Sequence, residues 1–246
     1  MPIPRLRQLL LSLLLAPLVA AAALPAVDAR VRYMALGDSL AAGYKAMPAI
    51  NGYAYQLYLN EVFGRLTETV FVNAAVPGAT SEDLLNFQLP QLPRFHPTVV
   101  TLSIGGNDLL SLLGDMPPTP GQVQAVVHQF AANLGQALTR LCFQLPAAGA
   151  IYVHNLYAIP EIPPALVVVP QFNDVLKQVV DQFRQVPACA DKTLGLVDVF
   201  SAFQGQDGLL LIERFEKKGF ANTFEVHPTN KGHRVIEGAF RAVIGR

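Results

Sequence analysis

Residues 31–40 read Val31-Arg32-Tyr33-Met34-Ala35-Leu36-Gly37-Asp38-Ser39-Leu40 (VRYMALGDSL). This apolar run followed by a Gly-Asp-Ser turn predicts a buried strand over Val31 to Leu36 and then the start of a helix. Four more apolar runs of strand length follow it along the chain. They cover Thr69 to Asn73, Thr98 to Ile104, Ala150 to Asn155 and Leu194 to Val199. Nearly continuous apolar runs of this kind indicate parallel strands covered on both faces.

Segments with apolar residues at helical intervals separate these strands. They cover Ser81 to Leu92, Gly121 to Leu141, Pro170 to Gln185 and about Thr229 to the C-terminus. The alternation predicts an α/β fold, a three-layer sandwich with a central, mostly parallel five-stranded sheet.

Two proline-rich stretches, Asp115 to Gly121 and Tyr157 to Pro170, are predicted to be loops. Ligands of open α/β sheets bind among the loops at the carboxyl ends of the strands, so apolar residues in and beside these stretches are candidates for an acyl-contacting wall. Those residues are Leu109, Leu110, Leu112, Leu113, Met116, Ile159, Ile162 and Leu166 to Val169. Rigid surface connections are the alternative interpretation.

Composition narrows the classes of protein to consider. Of the 246 residues 52% are hydrophobic and 15% charged, with 18 Lys+Arg against 18 Asp+Glu. This balance suits one domain with a large core, argues against disorder and provides no basic field for nucleic acid. The two cysteines form no Cys/His cluster with zinc-like spacing, so we expect no metal site.

Residues 1–29 are predicted to be a signal peptide. Arg5 and Arg7 precede a Leu/Ala-rich stretch from Leu9 to Ala23, and small residues suit cleavage after Ala23 or after Ala29. A retained membrane anchor is the competing interpretation, although two prolines interrupt the run. We therefore expect residues 30–246 to be the mature domain of a secreted or periplasmic protein.

Export affects the two cysteines, because an oxidising compartment allows Cys142 and Cys189 to persist as a disulfide. Both follow predicted helices in segments that can approach one another. We expect an intramolecular disulfide between them, with two separate buried thiols as the alternative.

Ser39 is the candidate nucleophile. At a strand-to-helix turn its hydroxyl is exposed at the carboxyl edge of the sheet, and the amides of the turn point at the same space. The alternative is an ordinary helix cap, provided by Asp38 or Ser39.

Gly78 and Asn107 follow the second and third strands, so both lie at the edge that carries Ser39. Gly78 can bring a backbone amide close to a ligand, and Asn107 can donate its side-chain amide to a developing oxyanion. Both residue types are also common in turns that have no function.

His227 is the candidate base. It lies in the loop before the last helix, which Thr229 is expected to cap, and can take the proton of Ser39 and return it to a leaving group. For the other four histidines a structural role is the safer interpretation. They are His96, His128, His154 and His233.

The residues together resemble a known family. Gly37-Asp38-Ser39-Leu40, Gly78, Gly106-Asn107-Asp108 and His227-Pro228 are similar in order and approximate spacing to the four blocks of the SGNH (GDSL-type) serine hydrolases. The resemblance covers Val31 to the C-terminus and implies a flavodoxin-like sandwich that hydrolyses esters without a metal or organic cofactor. It implies Ser39 as nucleophile and His227 as general base. The implied oxyanion hole is the Ser39 amide, the Gly78 amide and the Asn107 side chain.

The acidic position departs from the family pattern. The commonest form is D-x-x-H, but Phe224 stands three residues before His227, and the nearest acid is Glu225, two before. Glu225 resembles the D-x-H-P version with one extra methylene and is the candidate third catalytic residue, orienting the imidazole. The alternatives are a backbone carbonyl in that role, or Glu225 as a solvated loop charge.

The resulting prediction is a secreted lipase or esterase that cleaves lipidic or simple acyl esters through an acyl-enzyme, with transient contact to lipid surfaces. A carbohydrate deacetylase of the same fold is the first alternative. Residues that would grip sugars are not conspicuous, because tryptophan is absent and Tyr53, Tyr55 and Tyr58 suit a helix face. A non-catalytic exported binding protein is the second alternative, supported by the missing acid at the usual position.

Overall fold

The computed structural model describes residues 31–112, 118–212 and 225–245. The predicted signal peptide (1–29), Leu113 and Met116 lie outside them. Within these residues the strands are β1 (Val31–Gly37), β2 (Thr69–Asn73), β3 (Val99–Ser103), β4 (Ala150–His154) and β5 (Thr193–Val197). The five predicted strands therefore stand where the sequence placed them.

Helices and helical turns fill most of the remaining described chain. The helices are α1 (Ser39–Ala42), α2 (Tyr53–Leu59), α3 (Ser81–Asp83), α4 (Leu92–Phe95), α5 (Gly106–Leu110), α6 (Pro120–Gln144), α7 (Pro163–Phe183), α8 (Val199–Phe203) and α9 (Asn230–Ile244). A π-helical turn covers Leu84–Gln88, and 3₁₀ turns cover Ala49–Asn51, Leu66–Glu68, Leu89–Gln91 and Pro187–Cys189.

The described strands form one sheet in the order β2-β1-β3-β4-β5, and every neighbouring pair is parallel. The predicted three-layer α/β fold is confirmed. Connections leave β1 and β3 towards opposite sides, so a crevice opens between the carboxyl ends of these two central strands. Ser39 follows β1 and Asn107 follows β3, which places both at this crevice.

Side-chain alternation along β1 explains why both faces of the sheet are covered. Met34 and Leu36 belong to a core shared with α6 and α7, whereas Tyr33 and Ala35 belong to a second core shared with α2 and α9. All four side chains are fully buried. The continuous apolar pattern of the strand therefore reflects two cores, one on each side.

Two predicted helices agree closely with the structure. The segment predicted over Gly121 to Leu141 is α6, capped by Thr119, and the last predicted helix is α9. Thr229 caps α9 as expected, because its hydroxyl accepts from the Gly232 N–H at 3.2 Å.

The segment predicted as one helix over Ser81 to Leu92 is instead composite. It runs through α3, the π turn, a 3₁₀ turn and α4. Pro90 and Pro93 stand at the starts of the 3₁₀ turn and of α4, where a missing N–H is tolerated and a new helical element can begin.

The predicted loop over Tyr157 to Pro170 is wrong from Pro163 onward, where α7 begins. Pro163 and Pro164 occupy the first helical positions, where a missing N–H costs no intrahelical bond. The helix continues through Pro170 because Val169 and Phe172 on either side of it are packed in the core.

Cys142 on α6 and Cys189 in a 3₁₀ turn form the predicted disulfide, with Cα atoms 5.1 Å apart. The alternative of two separate thiols is excluded. None of the helices in the described part of the chain has the length and apolar character needed to cross a bilayer.

Candidate active site

Ser39 lies on a tight turn between β1 and α1. Gly37 has a φ of 124°, and a Cβ atom there would lie 1.8 Å from the Ser103 carbonyl oxygen, so only glycine fits. Asp38 caps α1, because its Oδ1 accepts from the Leu40 N–H at 3.0 Å and from the Ser103 hydroxyl at 2.9 Å. The helix cap considered from the sequence is thus Asp38. Ser39 is left partly exposed at the carboxyl edge of the sheet.

Gly78 and Asn107 lie in the segments that follow β2 and β3. Gly78 is exposed with a φ of 86°, and apart from Gly78 itself and its two chain neighbours no described residue lies within 4 Å of the position its Cβ would take. Glycine is therefore favoured here by backbone conformation and not by crowding. The Asn107 Nδ2 donates to the Ala79 carbonyl at 2.8 Å, and its second hydrogen remains for a ligand.

His227 is held by Glu225. The Nδ1 of the imidazole contacts Glu225 Oε1, and the His227 backbone N–H donates to the same oxygen at 3.1 Å. Lys45 Nζ lies 3.7 Å from Glu225 Oε2, and the Tyr44 ring packs edge-on against the imidazole with centroids 4.8 Å apart. An imidazole held through Nδ1 by a carboxylate has Nε2 available as a proton acceptor.

Ser39, Gly78, Asn107 and His227 line a single cavity of about 530 Å³. Most of the other lining side chains are apolar. They include Leu109, Leu110, Leu112, Leu156, Ile159, Ile162, Ala165, Val168 and Val169. Most of the predicted acyl-contacting residues described by the structure are in this wall, whereas Leu166 and Val167 are absent from it and are exposed.

Asp38 carries an unusual carboxyl group at the base of the site. Burial raises the pKa of Asp38 to about 7, against hydrogen bonds from Ser103 and Leu40 that lower it, and the Asp108 carboxylate raises it further. Asp38 also lines the cavity and is only 3% exposed. The group beside the candidate nucleophile therefore takes up a proton near neutral pH.

The other four histidines do not line this cavity. His154 and His233 are buried, and burial lowers the pKa of each to about 4. His96 and His128 are exposed. Across residues 31–112, 118–212 and 225–245, no cluster of three or more His, Cys, Asp or Glu residues is arranged to hold a metal ion.

Three supporting residues were not recognised from the sequence: Asp108, Gln88 and Tyr44. Asp108 accepts hydrogen bonds from Ser81, from its N–H at 2.9 Å and its hydroxyl at 2.5 Å, and so ties the segment after Gly78 to α5. Its position beside Asn107 was the signal that could have found it. Gln88 and Tyr44 belong to no recognisable motif, and their contacts appear only in three dimensions.

The chain is similar in sequence to one known protein family. The model of the GDSL-like lipase/acylhydrolase family matches residues 35–235. No curated protein sequence matches the chain.

Solved structures with the same fold include three esterases or lipases. The acetylxylan esterase Axe2 of Geobacillus stearothermophilus superimposes with a TM-score of 0.63 at 19% identity, over 89% of this chain and 96% of that chain. The lipase Lip_vut3 from a goat rumen metagenome gives 0.61 at 22% identity, over 87% and 97%. The psychrotrophic esterase EstA of Pseudoalteromonas sp. gives 0.57 at 19% identity, over 87% and 97%.

Proposed function

Since the chain belongs to the GDSL-like lipase/acylhydrolase family and is a carboxylic ester hydrolase, we propose that it cleaves lipidic or simple acyl esters through an acyl-enzyme on Ser39. One observation carries the proposal. Ser39, Gly78, Asn107 and His227 line the same cavity, and the rest of its wall is mostly apolar.

In the proposed reaction His227 takes the hydroxyl proton of Ser39 as the oxygen attacks the ester carbonyl. The Ser39 amide, the Gly78 amide and the free hydrogen of the Asn107 carboxamide hold the tetrahedral oxyanion. Collapse returns the proton from His227 to the leaving alcohol and leaves an acyl group on Ser39. Water, deprotonated by His227, then attacks the acyl-enzyme, and His227 returns that proton to the Ser39 oxygen as the carboxylic acid leaves.

We assign Glu225 as the acid that orients His227. Its contact with Nδ1 fixes the tautomer and stabilises the imidazolium that forms during the reaction. Glu225 is mostly buried and has Lys45 as a second neighbour, which argues against a solvated loop charge.

The apolar wall supports acyl chains in preference to sugars. Sugar hydroxyls need several hydrogen-bonding partners, and few polar side chains outside the catalytic set line the cavity. Of these, the Tyr157 hydroxyl already donates to the Val226 carbonyl at 2.6 Å, Asp38 is nearly inaccessible, and Tyr44 is the exposed one. Deacetylation of a polysaccharide, the activity named for the Axe2 structure, is therefore the less favoured alternative.

Export and contact with lipid surfaces form part of the proposal. The Cys142–Cys189 disulfide supports an oxidising compartment. Exposed apolar side chains occur in two segments that also contribute cavity-lining residues. Met47, three residues after Tyr44, is 76% exposed, and Val167 on α7 is 62% exposed. These side chains can rest on a lipid surface while the cavity takes an ester from it.

The experiment is an acyl-chain series of p-nitrophenyl esters from acetate to laurate, beside acetylated xylan, with purified residues 30–246. Each buried methylene contributes about 0.8 kcal/mol, so kcat/KM should rise up to about fourfold per methylene until the cavity is filled. A flat chain-length series with higher activity on acetylated xylan would establish the deacetylase instead.

Two matched variants on α7 test whether the cavity sets this preference. Ala165 lines the cavity, whereas Val167, two residues on, is exposed outside it. Ala165→Phe should shorten the longest acyl chain accepted, while Val167→Phe should leave the series unchanged. Identical series for the two variants would place the acyl group elsewhere.

A further inference from the structure

Gln88 makes an unusual contact with the backbone just before the nucleophile. Its Oε1 accepts from the Gly37 N–H at 2.7 Å, and its Nε2 donates to the Gly37 carbonyl at 2.8 Å. The side chain is 1% exposed, so both bonds are shielded from water. A single carboxamide thus pairs with both polar groups of one residue, two positions before Ser39.

The end of the sheet explains why this residue needs such a partner. The β1–β2 register ends where Ala35 meets Asn73, whereas β1 stays paired with β3 as far as Gly37 and Ser103. Beyond Ala35 no residue of β2 pairs with β1, so β2 offers no carbonyl acceptor for the buried Gly37 N–H. Gln88 takes the place of the missing strand, and an unpaired buried N–H is avoided.

The Gly37 carbonyl connects the turn that carries Ser39 with the segment that carries Gly78. The Gly37 carbonyl accepts from the Val76 N–H at 3.0 Å as well as from Gln88. Val76 is two residues before Gly78, and Gly37 is two before Ser39. Gly37 therefore links the turn that carries Ser39 to the segment that carries Gly78. Gln88 forms hydrogen bonds with both backbone polar groups of Gly37.

The position of Gln88 depends on the π turn at Leu84–Gln88. Such turns insert an extra residue into a helix and often occur at functional sites. Arg140 on α6 donates to the Leu85 carbonyl at 2.8 Å and fixes this turn against the core. The carboxamide of Gln88 is thus supported by a rigid element and not by a mobile loop.

We propose that Gln88 is a positioning residue, whose paired hydrogen bonds to Gly37 fix the Ser39 hydroxyl relative to the Gly78 amide during acyl transfer. This inference rests on the proposed roles of Ser39 and Gly78. Gln88 itself does not line the cavity. Its loss should therefore slow the chemical step and leave substrate affinity unchanged.

The test compares Gln88→Met, which keeps the length and removes both bonds, with Gln88→Asn, which keeps the carboxamide on a shorter chain. The control is Asn155→Leu. Asn155 is also a buried carboxamide with two hydrogen bonds, to Asp198 and to the Phe200 N–H, but it lies outside the cavity lining. Melting temperature, kcat and KM on p-nitrophenyl acetate, and the rate of Ser39 labelling by a small fluorophosphonate are measured for each.

Both Gln88 variants should lose about 10- to 100-fold in kcat and in labelling rate with KM within twofold, because displacement of reacting groups by about 1 Å has this effect. Asn155→Leu should lower the melting temperature with kcat and labelling retained. If Gln88→Met does not fold, Gln88→Asn carries the same expectation. Wild-type rates in a folded Gln88 variant, or equal losses in Asn155→Leu, would overturn the inference. An unlabelled wild-type protein would instead overturn the proposed function.

Discussion

Replacing Asn107 by alanine removes one of the three proposed oxyanion donors. In the structure one Nδ2 hydrogen is used by the Ala79 carbonyl at 2.8 Å, and one remains for the substrate. Loss of a single such donor costs about 100- to 1,000-fold in kcat, or about 2.7–4 kcal/mol of transition-state stabilisation. Loss of the bond to Ala79 costs only about 0.5–1.5 kcal/mol of folding free energy. We therefore expect a large kinetic defect in a folded protein.

The assay is steady-state hydrolysis of a short soluble ester, with kcat and KM determined separately and folding free energy measured by urea denaturation. Asn107→Asp should be at least as slow as Asn107→Ala, because a carboxylate cannot donate and repels the oxyanion. Ser111→Ala, at the exposed end of the same short helix, is the control and should match the wild type. A kcat for Asn107→Ala within threefold of the wild type would refute the oxyanion assignment.

The disulfide, Asp38 and Glu225 each give a measurable expectation. Replacing Cys142 and Cys189 together by serine opens a crosslink spanning 47 residues and should cost about 4 kcal/mol in urea denaturation, and a loss below about 1 kcal/mol would contradict the loop-entropy argument. Because burial raises the Asp38 pKa from 3.8 to about 7, the folded protein holds a proton at this carboxyl that the unfolded chain releases, so the contribution of Asp38 to stability should fall by up to about 1.4 kcal/mol per pH unit between pH 4 and pH 7. Asp38→Asn should lack this fall, and a stability difference between the two proteins that does not change with pH would disprove it. Glu225→Gln should lower kcat by about 100- to 10,000-fold by failing to hold the tautomer of His227, whereas an unchanged rate would assign that role to another group.

The strands and their parallel pairing were predictable because burial on both faces requires nearly continuous apolar runs, a local property of the sequence. The order of the sheet placed Ser39 and Asn107 at one crevice, as expected for residues that follow neighbouring parallel strands. The start of α7 was missed because Pro163 and Pro164 resemble helix breakers. At the first positions of a helix, however, proline is compatible with helical geometry.

The supporting contacts of the site could not be predicted from local pattern. Gln88 lies 51 residues from Gly37, and a π turn leaves no periodic signal in the sequence. Tyr44 packs against His227, which is far from it in the sequence. Glu225 was identified by its proximity in sequence to His227, and the structure adds the contact with Nδ1.

Fluorophosphonate labelling of purified residues 30–246, read by intact mass beside Ser39→Ala, shows whether Ser39 is the activated nucleophile. We expect one phosphonyl adduct on the wild type, located on the peptide that contains Ser39, and none on the variant. Equal labelling of both proteins would place the nucleophile elsewhere. An unlabelled wild type that hydrolyses esters would contradict an activated serine altogether.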